Sequence, residues 1–473
     1  MDTNEFRKQG YEFIDWLAGY FENIENLPVK PSVSPGDIKR LIPGSPPLEG
    51  ESMDEIFRDF REKIMPGITH WQHPGWMAYF PANNSPASVL AELLTAGLGA
   101  QCMIWQTSPA AAELEEIVME WLRQMIGLPE TFTGVIQDTA STATLCALLS
   151  AREKKTGFDS NRKGLTQKLR VYGTSETHSS IEKGVKIAGI GKENLHLVET
   201  LQDFSMNAEA LRKAIEADLD AGFTPCCVVA TLGSTSSMAM DHVAEIASVC
   251  IAHGIWLHVD AAFAGTAAVV PELRGFMDGV EMADSFVFNP HKWMMTNFDC
   301  SAYYVKDTAA LLQTFSIHPE YLKTDADMQV RNYRDWGIQL GRRFRALKLW
   351  FVIRSYGVEG IRAMVREHVR IAKQLSQLME ADCRFEILAP VSLSLVCFRF
   401  NPGNLDEGQL DLLNRKLLER INASGEVFLT HTSLNGKYTI RVAIGSRTTT
   451  EKHVQRAWEI IRSRAAELVH LVN

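Results

Sequence analysis

Short apolar stretches alternate with amphipathic stretches through the middle of the chain. The apolar stretches have the length of buried strands and lie at 134–137, 169–172, 195–198, 226–230, 255–259, 285–288 and 302–305. The segments between them repeat apolar residues at helical spacing. Because strands that alternate with helices form a mostly parallel sheet covered on both faces, the pattern predicts an α/β fold.

The first part of the chain has a different pattern. Apolar residues recur at helical spacing between residues 4 and 24, and a proline-containing stretch from Leu27 to Leu48 follows. This pattern predicts an amphipathic helix and then an extended arm. The helix has to bury its apolar stripe either on its own subunit or on a partner subunit, and the sequence leaves both possibilities open.

The last part of the chain has the pattern of a smaller α+β unit. Its predicted elements are a helical segment from Phe344 to Tyr356 continued by a further helix, strands at 391–400, 427–430 and 438–443, and a closing helix from about 450 to 468. The predicted division of the chain is an N-terminal helical segment (1–83), a large domain (84–347) and a small domain (348–473).

Composition excludes several classes of protein. The chain is 46% hydrophobic and 22% charged, and its net charge of -9 without a long basic run disfavours general binding to nucleic acids or anionic membranes. Because it has neither a bilayer-length apolar run nor a signal-peptide pattern at its start, we expect a cytoplasmic protein with no membrane span. The eight cysteines are scattered without C-x-x-C spacing, which predicts buried reduced thiols and no metal site.

Two charged residues lie at the ends of predicted strands. Lys292 follows the strand at 285–288, and Asp260 follows the strand at 255–259. A lysine at a strand end is usually a solvated surface charge, but the apolar flanks here favour a buried amine with a lowered pKa. Pyridoxal phosphate needs such an amine for its aldehyde and a carboxylate that keeps its ring nitrogen protonated. The pair therefore predicts a pyridoxal 5′-phosphate site.

Other polar residues follow other predicted strands. Ser141 lies where a strand ends and a helix begins, and free backbone amides at a helix start bind phosphate. Simple N-capping by Thr139 or Ser141 explains the same pattern equally well. Ser234 lies in a second hydroxyl-rich turn with the same two interpretations. His178 either stacks on a cofactor ring or occupies an ordinary polar turn.

Together these segments resemble the aromatic-L-amino-acid decarboxylases, which are group II pyridoxal-phosphate decarboxylases. The motifs that carry the resemblance are Asn-Pro-His-Lys-Trp at 289–293, His-Val-Asp-Ala-Ala-Phe-Ala-Gly at 258–265, the segments of Ser141 and His178, and Gly-Arg-Arg-Phe-Arg at 341–345. The resemblance runs from the first helix nearly to the last residue. It implies the PLP-dependent transferase fold type I, in a homodimer whose active site lies at the interface and whose N-terminal segment wraps on the partner.

The resemblance also implies roles for individual residues. Lys292 would hold the cofactor aldehyde and Asp260 would pair with the ring nitrogen. Ala262 would pack below the ring and His178 would stack above it. The surroundings of the phosphate would be Ala140, Ser141, Ser234, Asn289 and His291. The aromatic substrate pocket would contain Trp71, Tyr79, Phe80, Pro81 and Ala82.

Three further positions bear on the product and the substrate. Tyr321, on a polar loop, matches the family's candidate acid for returning a proton to the substrate Cα. Relatives with phenylalanine there are aldehyde synthases, so the tyrosine predicts decarboxylation to the amine. Gly341 matches a position where plant relatives that favour indoles carry glycine, and Met103 replaces a usual phenylalanine in the pocket wall. We expect an aromatic L-amino acid, with tryptophan favoured over tyrosine, phenylalanine, dihydroxyphenylalanine (DOPA) or 5-hydroxytryptophan.

Three other functions stay open at this point. One is an aldehyde synthase on the same scaffold. Another is an aminotransferase, which would use Lys292 and Asp260 but keep the substrate carboxylate in an arginine clamp; Arg441 is the candidate, unless it is an ordinary surface charge at a strand end. The third is a non-catalytic interaction protein, which would bind no chromophore and would not respond to the loss of Lys292.

Overall fold

A seven-stranded sheet forms the centre of the computed structural model, which describes residues 1–317 and 329–472. Its strands are β1 (Thr133–Gln137), β2 (Leu169–Gly173), β3 (Leu195–Leu197), β4 (Thr224–Thr231), β5 (Trp256–Asp260), β6 (Ser285–Phe288) and β7 (Ser301–Val305). The strand order is β1-β7-β6-β5-β4-β2-β3, and only β7 is antiparallel to its neighbours. The predicted, mostly parallel α/β sheet is confirmed, with strand ends shifted by at most two residues.

Helices cover both faces of this sheet. From the start of the chain to residue 315, the α-helices are α1 (Thr3–Asn23), α2 (Asp37–Leu41), α3 (Met53–Asp59), α4 (Pro86–Leu98), α5 (Pro109–Ile126), α6 (Ala140–Lys155), α7 (Ser160–Lys163), α8 (Ser180–Ile187), α9 (Ala208–Asp220), α10 (Val243–His253), α11 (Pro290–Trp293) and α12 (Thr308–Phe315). One apolar core joins α5, α9 and α10 to the sheet, and another joins α6, α8 and α12 to it. Burial on both faces explains why the strands are nearly continuous apolar runs.

The register of the sheet brings three strand ends together. Asp260 in β5 pairs with Thr231 in β4 and with Val287 in β6. Because β4, β5 and β6 are parallel, their carboxyl ends share one edge of the sheet, where open α/β sheets bind their ligands.

The C-terminal part forms a second, antiparallel sheet. Its strands are β8 (Phe385–Ile387), β9 (Leu395–Phe400), β10 (Thr430–Leu434) and β11 (Lys437–Ala443), in the order β10-β11-β9-β8. The helices that share an apolar core with it are α13 (Arg345–Glu380), α14 (Glu407–Asn422) and α15 (Glu451–Val472). This is the predicted smaller α+β unit.

Two strand predictions in the smaller unit need correction, and one strand was not predicted. The strand expected at 427–430 begins only at Thr430, because Val427 to Leu429 pack in the core and Phe428 forms a single bridge with Trp76. The observed strand β10 lies at the sheet edge and is mostly polar. The apolar pattern in the sequence therefore indicated the buried segment before the strand, and not the strand itself. The strand expected at 391–400 begins at Leu395. The three-residue strand β8 was not predicted, since so short a strand shows no alternation.

Helix α13 crosses the predicted boundary between residues 347 and 348. Its residues up to Val369 belong to the core around the large sheet, and its residues from Ile371 onward belong to the core of the small sheet. Gly357, with φ 64 and ψ 169, interrupts the helix. The division of the chain at 83/84 and 347/348 stays a prediction.

Helix α1 confirms the amphipathic helix predicted at the start of the chain. Phe6 and Tyr11 on this helix are exposed in the single chain. The arm that follows is not fully extended, because α2 interrupts it. All eight cysteines are free thiols, and seven of them are buried; Cys383 is exposed, contrary to the prediction for the set. Within residues 1–317 and 329–472, no helix has the length and apolar character needed to span a bilayer.

Candidate active site

A cavity of about 210 Å³ opens at the shared edge of β4, β5 and β6. The residues predicted for the site that line it are Phe80, Ala140, Ser141, His178, Asp260, Ala262, Asn289, His291 and Lys292. The other lining residues are Thr139, Thr231, Gly233, Thr235, Phe263 and Phe298. These residues come from distant segments of the chain, so the sheet topology assembles the cavity.

Lys292 lies on the four-residue helix α11, which follows β6 almost directly. Burial lowers the pKa of its ammonium group, and the carboxylate of Asp260 opposes part of that shift. The Nζ atom lies 5.5 Å from the centre of the Phe80 ring. A lowered pKa increases the fraction of neutral amine at neutral pH, and the neutral amine is the form that attacks an aldehyde.

Asp260, the last residue of β5, presents a buried carboxylate to the same cavity. Its Oδ1 atom accepts a hydrogen bond from the backbone N–H of Ala262 at 3.0 Å. That bond fixes the carboxylate against the turn after β5, where Ala262 also lines the cavity. A buried carboxylate held in this way can form a charge-assisted hydrogen bond with a protonated ring nitrogen.

The first turn of α6 faces the cavity through Ala140 and Ser141. Thr139 caps this helix, with Oγ1 accepting from the backbone N–H of Thr142 at 3.4 Å, so the N-capping interpretation holds for Thr139. Capping occupies one backbone N–H of the first turn, and a helix start has further free N–H groups that bind anions. The two interpretations of the sequence are therefore compatible.

His291 is a neutral hydrogen-bond donor at the cavity wall. Burial, assisted by the charge of Lys292, lowers its pKa to about 3. The backbone N–H of Cys300 donates to Nδ1 at 2.9 Å, so the ring proton of the neutral imidazole is on Nε2. The ring also packs on Phe298, with 4.6 Å between centroids.

His178 lies in the loop between β2 and α8 and lines the cavity. The backbone N–H of Ser180 donates to its Nδ1 atom at 3.2 Å, and the Ser180 hydroxyl lies 2.8 Å from the same atom. The neutral ring therefore carries its proton on Nε2. Burial lowers the pKa of His178, and Asp260 opposes the shift, which keeps the imidazole neutral at neutral pH.

Ser234, predicted beside the phosphate, has its hydroxyl turned away from the cavity. Its Oγ atom lies 3.0 Å from Glu176 Oε2 and 2.8 Å from Ser237 Oγ. Gly233 and Thr235 line the cavity on either side of it. Gly233 has a φ of +80, and a Cβ atom added there would lie 2.6 Å from the Cβ atom of Ala264, so only glycine fits.

Within the described chain, Phe80 is the member of the predicted substrate set that lines this cavity. Its ring stacks on Phe263 at 4.0 Å between centroids. The predicted residues that do not line it are Trp71, Tyr79, Pro81, Ala82, Met103 and Gly341. Trp71 and Tyr79 stack at the surface, 6.1 Å apart.

Tyr321, the predicted proton donor, falls outside the described residues. Arg441, by contrast, is well described and deeply buried, so the alternative of a surface charge is wrong. Its guanidinium donates to Thr430 Oγ1 at 3.0 Å and to the carbonyl oxygen of Tyr79 at 3.3 Å. It lies 5.6 Å from the centre of the Phe80 ring.

Some lining residues were not predicted from the sequence. Thr231 ends β4, and Gly233 and Thr235 flank Ser234 in the turn that follows, so the strand end was a signal for the whole turn. Phe263 lies within the segment already singled out around Asp260. Phe298 had no signal in the sequence, because its place in the cavity follows from the turn between α11 and β7.

Comparisons with known proteins agree on one family of enzymes, whose members below differ in product and substrate. Residues 35–401 match the model of the pyridoxal-dependent decarboxylase conserved domain. The chain is 45% identical over 480 residues to a phenylacetaldehyde synthase of Arabidopsis thaliana, with 99% of this chain and 98% of that protein covered. It is 44% identical over 490 residues to tyrosine decarboxylase 1 of Narcissus pseudonarcissus, with 100% and 94% covered. The crystal structure of Oryza sativa TDC with PLP and tryptamine matches with a TM-score of 0.96 at 37% identity, with 99% of each chain covered.

Proposed function

The chain belongs to the pyridoxal-dependent decarboxylase family, and we propose that it converts aromatic L-amino acids, tryptophan foremost, to the corresponding amines and CO2. It is a PLP-dependent carboxy-lyase with the type I fold of that family. The observation that carries the proposal is the convergence of Lys292, Asp260 and the first turn of α6 on one cavity.

The residues around the cavity fit pyridoxal phosphate. Lys292 would hold the aldehyde, Asp260 the ring nitrogen, and the first turn of α6 with the Nε2–H of His291 the phosphate. When bound, the cofactor supplies an aldehyde that condenses with amines and a ring that withdraws the electron pair released as CO2 leaves.

Each side chain then has a defined task in the reaction. Lys292 would give up the aldehyde carbon to the substrate amine and would take it back when the product leaves. Asp260 would keep the proton on the ring nitrogen, because a charged partner stabilises the protonated form. His178, neutral and with its proton on Nε2, would stack above the ring, and Ala262 would leave room for the ring to lie against the backbone.

Decarboxylation to the amine is favoured over aldehyde formation by Tyr321. This part of the proposal rests on the sequence alone, since residues 318–328 are outside the described chain. A tyrosine hydroxyl can protonate the substrate Cα, and relatives with phenylalanine at the matching position make aldehydes. The 45% identity to a phenylacetaldehyde synthase makes the aldehyde the second candidate product.

Tryptophan is favoured as the substrate by two observations. The TDC structure that resembles this chain contains tryptamine, the amine that corresponds to tryptophan. The second is a sequence match: Gly341, which does not line the cavity of its own chain, stands at the position where plant relatives that favour indoles carry glycine. Tyrosine is the main alternative, given the 44% identity to a tyrosine decarboxylase.

A second copy of the chain would complete the site. Helix α4 exposes Leu90, Leu94 and Leu98 on one face, at 47%, 49% and 66% exposure. The same helix lies beside the turn of Phe298, since Asn297 Nδ2 donates to Glu92 at 3.5 Å, and Phe298 is itself 59% exposed while lining the cavity. An apolar stripe next to the cavity suits a homodimer with its active sites at the interface.

An aminotransferase is disfavoured by the setting of Arg441. Its guanidinium donates to Thr430 and to the carbonyl oxygen of Tyr79, and it does not line the cavity that Lys292 and Asp260 share, so it is not placed to clamp a substrate carboxylate there.

A product assay tests the proposal. The purified protein, supplied with pyridoxal phosphate, is incubated with tryptophan, tyrosine, phenylalanine and DOPA, and amine, aldehyde and CO2 are quantified. We expect equal amounts of amine and CO2, highest with tryptophan, and no product from Lys292→Ala. Mostly aldehyde would assign the second candidate function, and a requirement for a keto acid would assign an aminotransferase.

A further inference from the structure

The helix that carries Lys292 is too short to fix its own position. Helix α11 has four residues, and its turn is closed by few backbone bonds, such as Lys292 N–H to the Asn289 carbonyl at 2.9 Å and Met294 N–H to the Pro290 carbonyl at 3.1 Å. So short a helix is not stable by itself, because nucleation fixes several residues for each bond formed. The position of Lys292 therefore depends on contacts from other parts of the chain.

Asn83 provides several of these contacts. Its side chain is buried, and its Nδ2 atom donates to the carbonyl oxygen of Lys292 at 2.6 Å and to that of Gly445 at 2.7 Å. Its Oδ1 atom accepts from the backbone N–H of Arg447 at 2.8 Å, and its own backbone N–H donates to the His291 carbonyl at 2.9 Å. Both amide hydrogens are used, and the amide oxygen also has a partner.

These bonds join α11 to the small sheet. Gly445 and Arg447 follow β11, one of the two central strands of that sheet, and among the hydrogen bonds of the described chain they reach α11 only through Asn83. The approach is close, because a Cβ atom added to Gly445 would lie 2.9 Å from Pro81 Cγ. The small unit thus takes part in holding the lysine of the large sheet.

We propose that Asn83 is a positioning residue for Lys292, holding the lysine carbonyl against the small unit and so setting where the lysine amine meets the cofactor aldehyde. The inference rests on the proposed function of Lys292. Asn83 does not line the cavity and acts through the backbone of α11. Because reacting groups must be held in a near-attack geometry, a displacement of about 1 Å can reduce the rate on the order of 100-fold.

The test compares Asn83→Asp with Asn84→Asp. The first variant keeps the shape of the side chain but replaces both donor hydrogens by an acceptor that faces two carbonyl oxygens. The second adds the same charge one residue away, on a side chain whose Oδ1 atom has no hydrogen-bond partner among the described residues. We expect kcat of Asn83→Asp to fall at least about tenfold below that of Asn84→Asp, with KM changed less than about twofold.

A second readout does not depend on turnover. Each protein is incubated with pyridoxal phosphate alone and reduced with borohydride, and the fraction of the Lys292 peptide that carries a pyridoxyl group is measured against time. We expect slower labelling in Asn83→Asp than in Asn84→Asp. If Asn83→Asp does not fold, Asn83→Ala and Asn84→Ala provide the same comparison without a buried charge.

The outcomes separate this inference from the function on which it rests. Equal kcat and equal labelling rates in the two variants, in a preparation whose wild-type protein is active and labelled at Lys292, overturn only the role of Asn83. A wild-type protein that shows neither amine formation nor label on Lys292 overturns the proposed function and the inference with it.

Discussion

Burial sets the protonation of the side chains around the cavity. It lowers the pKa of Lys292, of His178 and of His291, the last to about 3, while Asp260 opposes the shifts of Lys292 and His178. The result is a buried amine that gives up its proton more readily than an exposed lysine does, and two neutral imidazoles, which line one cavity with Asp260. This set suits a cofactor whose ring nitrogen is protonated and whose phosphate is held by uncharged donors.

The first prediction concerns Asp260. Asp260→Asn keeps the size of the side chain but removes the charge that holds a proton on the ring nitrogen, so kcat should fall on the order of 100-fold or more, as for the loss of other preorganised electrostatic partners. Steady-state kinetics at saturating pyridoxal phosphate measures the effect. Wild-type kcat in this variant would contradict the role of the carboxylate.

The second prediction concerns stability against pH. Burial lowers the pKa of His258 and of His368 to about 4 and, together with Lys292, that of His291 to about 3. The folded-state pKa of each lies below the unfolded value, so the unfolded chain binds more protons as the pH falls below about 6.5. By pH 4.5 each of these histidines has therefore cost roughly 3 kcal/mol of stability.

Asp241 acts in the opposite direction. Burial raises its pKa to about 6, so it adds stability as the pH falls from about 6 to 4. Three histidines outweigh this one carboxyl group, and the thermal midpoint of the protein without cofactor should fall continuously from pH 7 to pH 4.5. A flat or rising midpoint in differential scanning calorimetry would be inconsistent with these buried neutral histidines.

Site residues could be predicted from the sequence where they lie at the end of an apolar strand. Lys292 and Asp260 were found because each follows an apolar run that the structure shows as a strand. The burial of Arg441 was not predictable, because it depends on Tyr79 and Thr430, which are distant in sequence or on another strand. The role of Asn83 was hidden for the same reason, since its bonds join residues more than 200 positions apart.

At the scale of an element, the turn after β4 depends on Gly233. Gly233→Ala adds a Cβ atom at a φ of +80 and 2.6 Å from the Cβ atom of Ala264. Gly436→Ala, in the turn between β10 and β11, has a φ of +77, and no atom of the residues that the structure describes lies within 4 Å of the added atom. Backbone strain should lower the free energy of unfolding of both variants by about 1 kcal/mol.

The difference between the two variants isolates the steric contact at the cavity. Gly233→Ala should be less stable than Gly436→Ala by a further 1–3 kcal/mol, roughly the cost of overpacking, and should bind pyridoxal phosphate more weakly. Chemical denaturation and absorbance titration with the cofactor measure the two effects. Equal losses of stability and of cofactor affinity in the two variants would show that the turn after β4 accommodates the added methyl group without disturbing the cavity wall.

Elements were predictable in proportion to their length and burial. The strands of the large sheet are apolar along their length because both faces are covered, and all were located within two residues. In the small sheet, the edge strand β10 alternates exposed and half-buried polar residues, and β8 has three residues, so neither produced a clear apolar signal. Long helices such as α1 and α15 were predicted by their 3.6-residue period.

For the whole molecule, we predict a homodimer that uses α4. Leu94→Glu with Leu98→Glu places two charges in the exposed apolar face of that helix and should shift the protein toward monomers. Leu412→Glu, on the exposed face of α14, is the control and should leave the oligomeric state unchanged. Sedimentation velocity measures both. A wild-type monomer, or dimers in the double variant, would exclude this face as the interface.

The composition of the complete site is a property of the whole molecule. Met103 and Gly341 belong to segments that pack together, since the backbone N–H of Arg334 donates to the Met103 carbonyl at 2.8 Å and that of Arg342 donates to Gln101 Oε1 at 2.7 Å. Neither lines the cavity of the same chain. Sequence patterns describe a single chain. A contribution of Met103 and Gly341 to the active site of a second copy could therefore be predicted only from the family resemblance.

The central claim is that Lys292 carries the cofactor at this cavity. The most direct test is borohydride reduction of the protein after incubation with pyridoxal phosphate, followed by mass spectrometry of its peptides. We expect a pyridoxyl group on the peptide that contains Lys292, and its loss when tryptophan is bound at the moment of reduction. A pyridoxyl group on another lysine, or none on Lys292, would contradict the account.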